Sequence, residues 1–242
     1  MRHRFPAMLL CIHLCSLAAP QAAAQRQEVF NAMTEYRPSA VSAADQAVVR
    51  RDVLPVARQL SANARGCGDE LRVIDVVPGS FTAPGAPQRA VLYRYCPIAL
   101  AAAESGIAIV QAGRVVAHVT IAGITPDGLR AARDVDLDGV WELVVLDTAA
   151  GSREVTSHLS VFQAGPGDVR VFGRMRVMHD DTPTGRRKSR VAATVLYATP
   201  GRRPRWEAET WHSRETRNHY CDLTALHPVT LGRDRATYRR IR

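Results

Sequence analysis

The chain has 242 residues, 46% of them hydrophobic and 23% charged, with a formal net charge of +9. This excludes a disordered acidic tail and a low-complexity chain, and the length allows one sizeable core. The charge is polarised, because residues 25–167 carry 13 basic and 15 acidic groups whereas residues 168–242 carry 17 and 8.

Arg2, His3 and Arg4 precede a short apolar run, Ala7 to Ala19, and Ala22 and Ala24 stand just before Gln25. This pattern predicts a signal peptide over residues 1–24, cleaved at an A-x-A-type site. The run is shorter than the ~20 residues a membrane span needs. The expected location is therefore the periplasm or the exterior. Cleavage removes Cys11 and Cys15 and leaves Cys67, Cys96 and Cys221. In an oxidising compartment one pair is expected, with Cys67–Cys96 favoured because the two flank one predicted strand pair. Pairing with Cys221 stays open.

Residues 25–40 show no clear period and are expected as an arm. Ser42 to Arg65 reads as a helix capped by Ser42, with Asp45 in its first turn. Val48, Val49, Val53, Val56 and Leu60 mark its apolar face. Pro55 is expected to kink or split it, and Gly66 to stop it. Residues 25–70 thus form an arm and helix.

From Leu71 to the end, short apolar runs alternate with Gly, Pro and Asp turns, which predicts antiparallel strands over 71–242. An internal repeat runs through them. Ile107–Gly113 matches Leu159–Gly165 at an offset of 52, both ending in Gln-Ala-Gly. The same offset carries Val91–Tyr93 onto Leu143–Val145 and then onto Val195–Tyr197. Three units are expected, beginning near Leu71, Gly128 and Met175. The expected fold is mainly β (α+β), with an N-terminal helix followed by an antiparallel β domain of about three blade-like repeats, like an incomplete propeller.

One motif carries chemistry. Asp134-Val-Asp136-Leu-Asp138-Gly139-Val140-Trp-Glu142 reads D-x-D-x-D-G-x-x-E and runs into an apolar strand. Alternate carboxylates in a short loop converge on one point, and their repulsion calls for a cation. Hard oxygens suit Ca²⁺. An EF-hand is excluded by spacing, since its closing Glu belongs at the twelfth loop position, which is Val145 here.

The loop resembles the FG-GAP/VCBS-type repeats, the calcium loops of integrin α-chain propeller blades and of many bacterial secreted proteins. The resemblance implies that Asp134, Asp136 and Asp138 ligate through side chains, Val140 through its carbonyl, and that Glu142 closes the shell. Pro78–Gln88 in the first unit reads as a decayed version without acids.

Arg186–Arg190 and Arg202–Arg205, near Trp206 and Trp211, could face an anionic envelope surface or a protein partner. The signal peptide argues against nucleic acid. His212, His219, Cys221 and His227 match no closed zinc spacing. Asp147, Glu154 and Glu207 are dispersed acids, and no nucleophile elbow, phosphate loop or zincin motif occurs. The expected function is a non-enzymatic, calcium-stabilised binding or envelope-associated protein. The alternative is a cell-envelope hydrolase built from dispersed residues.

Overall fold

Among the described residues, short apolar runs produce eleven strands, and one amphipathic segment produces a helix. The structure is a computed structural model that describes residues 25–34, 36–60, 67–96, 104–121, 126–151, 154–165, 169–181 and 191–212. The expected signal peptide, Gly66, Arg186–Arg190, His219, Cys221 and His227 lie outside the described residues. In chain order the elements are β1 (Gln27–Asn31), α1 (Ala43–Leu60), β2 (Leu71–Gly79), β3 (Gln88–Tyr95), β4 (Glu104–Gln111), β5 (Arg114–Ile121), β6 (Pro126–Ala132), β7 (Glu142–Ala150), β8 (Val155–Ala164), β9 (Val169–Asp180), β10 (Val191–Thr199) and β11 (Arg205–His212).

The strands form two antiparallel sheets. The first is the meander β2-β3-β4-β5, and the second is a strongly curled, half-barrel sheet ordered β1-β10-β9-β8-β7-β6, with β11 paired to β10. The stretches expected as the first two units lie in two four-stranded meanders, β2–β5 and β6–β9. The third does not start a sheet of its own. Met175 falls inside the long β9, and β10 and β11 extend the sheet of the second unit. The arm expected at residues 25–40 contains β1, which pairs with β10 over Val195–Ala198. Its partner is distant in sequence, so no local period announces it.

Alternation sorts the core into layers. Val91, Tyr93, Ala108 and Val110 face α1, while Ala90, Leu92, Ile107 and Ile109 face the curled sheet and meet Leu143, Val145 and Phe162. Val144, Leu159 and Val161 point into the interior of the curl with Val29, Phe30, Leu196 and Ala198. Leu143, Val144 and Val145 are all buried, as a central strand covered on both faces requires. A bulge between Val73 and Asp75 switches parity, so that Leu71, Val73 and Val76 all face the helix.

The helix begins as expected. Asp45 N–H donates to Ser42 Oγ at 3.0 Å, and Ser42 Oγ–H donates back to Asp45 Oδ2 at 2.6 Å. Two expectations are corrected. Pro55 does not split the helix, because packing of Val49, Val53, Leu54 and Ala57 on the sheet outweighs one missing backbone bond. Val56 is 41% exposed, and Ala57 takes its place on the buried face, because Val49, Val53 and Ala57 recur every four residues. No helix among the described residues is long and apolar enough to cross a membrane.

Cys67 and Cys96 form a disulfide, both buried, with Cα atoms 4.9 Å apart. It ties the entry of β2 to the exit of β3, where Cys96 N–H also donates to the Glu70 carbonyl at 2.9 Å. Closing this loop is expected to contribute about 3 kcal/mol. Equilibrium unfolding in urea of the oxidised protein and of Cys67→Ala/Cys96→Ala checks this, and equal midpoints would refute it.

Candidate metal centre

The acidic loop joins β6 to β7 and is shaped by backbone as much as by charge. Asp134, Leu137 and Gly139 hold left-handed φ values of 43°, 62° and 87°. These turns coil the loop tightly enough to bring alternate side chains to one side. Gly139 is required twice over. Its φ favours glycine, and a Cβ there would stand 2.8 Å from Pro84 Cγ in the β2–β3 loop.

Carboxylate oxygens of Asp134, Asp136 and Asp138 lie within 4.8 Å of one another. Some are held by the loop itself. Asp134 Oδ1 accepts from Gly139 N–H at 3.1 Å, and Asp138 Oδ1 accepts from Val140 N–H at 2.8 Å. Glu142 is not one of the three converging acids. It stands behind them at the start of β7, fully buried, with Oε2 accepting from Val135 N–H at 2.9 Å. The described contact of Val140 is that N–H bond, made by its amide rather than its carbonyl.

Two side chains that no motif predicted complete the surroundings. Gln163 on β8 donates from Nε2 to Asp138 Oδ2 at 2.8 Å, and Arg170 on β9 donates from Nη1 to Asp136 Oδ2 at 2.5 Å. The one sequence signal for Gln163 was the repeated Gln-Ala-Gly. For Arg170 there was none.

Two oxygens are left over. Asp136 Oδ1 and Glu142 Oε1 are buried and receive no hydrogen bond. An unpaired buried acceptor is costly, and an anionic one more so. Burial pushes the Glu142 carboxyl up to about 7 against the N–H groups of Val135 and of Glu142 itself, with the charges of Asp136 and Asp134 adding to the rise. Asp136 is also raised, first by burial and then by Asp138, against the pull of Arg170.

The corresponding loop of the first meander solves the same problem without charge. Gln88 opens β3 as Glu142 opens β7, and pairs with Gly79 as Glu142 pairs with Ala132; this offset of 54 slips by two residues from the expected match of Val91–Tyr93 with Leu143–Val145. Gln88 Oε1 accepts from Phe81 N–H at 2.7 Å and Thr82 N–H at 2.9 Å. Its Nε2 donates to Thr82 Oγ1 at 2.6 Å and to Gln111 Oε1 at 2.9 Å. Gln111 and Gln163 head the two Gln-Ala-Gly segments, and each reaches the loop of its own meander. Every polar head atom of Gln88 is paired, whereas the corresponding glutamate keeps one bare oxygen.

The weaker sequence candidates are placed elsewhere. Arg202 and Arg203 are exposed ahead of β11, Arg205 pairs with Glu207 at 3.1 Å, and Trp206 tilts against Phe172 with centroids 6.0 Å apart. Asp147 is buried with Arg174 Nη2 at 2.8 Å, and Glu154 lies 3.7 Å from His179. Compared with known proteins, the chain matches no family model, no curated protein and no solved structure.

Proposed function

We propose that this is a secreted or periplasmic, non-enzymatic binding or envelope-associated protein whose β6–β7 loop holds one calcium ion. Asp134, Asp136 and Asp138 supply side-chain oxygens, Val140 a backbone carbonyl, and Glu142 its bare Oε1, in the manner of the FG-GAP/VCBS loops that the motif resembles. The two meanders are then tandem copies of one blade-like unit, closed by amides in the first and by an ion in the second. The observation that carries this reading is the pair of buried, donorless oxygens, Asp136 Oδ1 and Glu142 Oε1, beside the converging aspartates. Amide hydrogens satisfy the first loop, and a hard cation is the matching partner for an all-oxygen set in the second. The ion staples the β6–β7 connection and has no chemical step to perform.

Terbium luminescence and calorimetric calcium titration of the mature chain test this reading. The expected result is saturable binding in the millimolar range or tighter, with Asp136→Ala abolishing it and losing the calcium-dependent rise in melting temperature. Absence of binding by the wild-type protein at millimolar calcium would sink the proposal.

A further inference from the structure

Arg170 holds a position that the ion reading does not require. It comes from β9, outside the acidic loop, and stands opposite Gln163 as Arg114 on β5 stands opposite Gln111. Its guanidinium reaches across to Asp136 Oδ2 at 2.5 Å, yet its side chain is 54% exposed while that of Asp136 is 4% exposed. The same guanidinium lies over the Phe172 ring, with Cζ 4.6 Å from the centroid. Both contacts are made in one conformation, so the ring holds the guanidinium together with Asp136. A carboxylate that both ligates an ion and bonds an arginine brings two cations within a few ångströms. Their repulsion falls on the partner that water can reach, which is the half-exposed arginine.

We propose that Arg170 is the affinity-setting residue of the acidic site, a tethered cation that holds Asp136 until a multivalent ion displaces it. This inference rests on the ion reading of the loop. The tether gives the guanidinium a high local concentration, so a monovalent ion gains no Coulombic advantage over it. A divalent ion carries twice the charge and accepts oxygens from all the converging acids at once. Arg170 thus raises the calcium concentration at which the site fills, and selects charge-dense cations over sodium or potassium. The guanidinium gives up its bond to Asp136 when the ion enters.

Calorimetric calcium titration of wild type, Arg170→Gln and Arg170→Ala tests the proposal, with circular dichroism confirming the fold of each. Removing the competing charge is expected to tighten calcium binding at least about tenfold. In the wild-type protein, the Arg170 side-chain NH resonance should shift from its ion-paired position as calcium saturates. That second measurement stands even if a variant fails to fold. Calcium binding by all three proteins with equal or weaker affinity in the variants overturns the role of Arg170 and leaves the ion site intact. Absence of binding in all three overturns the ion reading and this inference with it.

Discussion

Asp75→Ala is expected to lower the unfolding free energy by about 4 kcal/mol, the largest loss for any single polar side chain outside the acidic loop. Asp75 sits at the β2 bulge and is 1% exposed. Its Oδ1 accepts from Ser39 N–H and Val76 N–H, each at 2.8 Å, and its Oδ2 accepts from Leu129 N–H at 2.8 Å. One carboxylate thus joins the segment before α1, the first sheet and the edge strand of the second. Burial raises its pKa, and the three donors pull the other way. Alanine removes all three charge-assisted bonds. Leu129 N–H keeps a bond to Tyr36 Oη at 2.9 Å, and the exposed Ser39 can turn to water, but Val76 N–H is stranded in the interior. Asp75→Asn presents an NH₂ to one of these donors and should lose about half as much. Urea denaturation of the three proteins measures both. A loss below about 1 kcal/mol for alanine would mean that the sheets are held together without this clamp.

The second large effect couples pH to calcium through Glu142. In the ion-free protein its carboxyl is raised from the ordinary 4.5 to about 7. The folded state then binds a proton that the unfolded state has already released. The stability is fully present below about 4.5 and is lost as pH rises through about 7. The interval corresponds to roughly 3 kcal/mol. Asp136, also raised, adds in the same direction. Without calcium the melting temperature should therefore fall between pH 5 and pH 8, a window that spans about 7. With calcium bound the carboxylate has its cation, and the fall should vanish. Glu142→Gln should flatten the ion-free profile by supplying a neutral head like that of Gln88. Thermal melts across that range, with calcium and with chelator, check each statement. Superimposable profiles with and without calcium would contradict the coupling.

The disulfide, the helix start and the strand-rich region after Leu71 were legible because each depends on local pattern. Ser42 caps its own helix, and Cys67 and Cys96 flank adjacent strands. The acidic loop was legible as a motif because its carboxylates and Gly139 lie in one short segment. The recurrence of Gln-Ala-Gly at Gln111 and Gln163 was visible, although the reach of both glutamines toward a loop was not. A side chain's reach toward a loop depends on strand pairing, which a linear offset does not contain.

What escaped the sequence has a common cause. β1 pairs with β10 across most of the chain, Arg170 meets Asp136 from 34 residues away, and Asp75 meets Leu129 from 54. Such pairings depend on how two sheets curl and pack, an energy spread over many buried residues. The third unit joins the second in one sheet for the same reason, because the length of β9 and its pairing with β10 are tertiary choices. The polarised charge, the strand pattern and the spacing of four acids follow from the order of residues alone. Only the folded chain decides which of those acids keep an oxygen bare, since burial and the positions of N–H donors exist only once the meanders are formed.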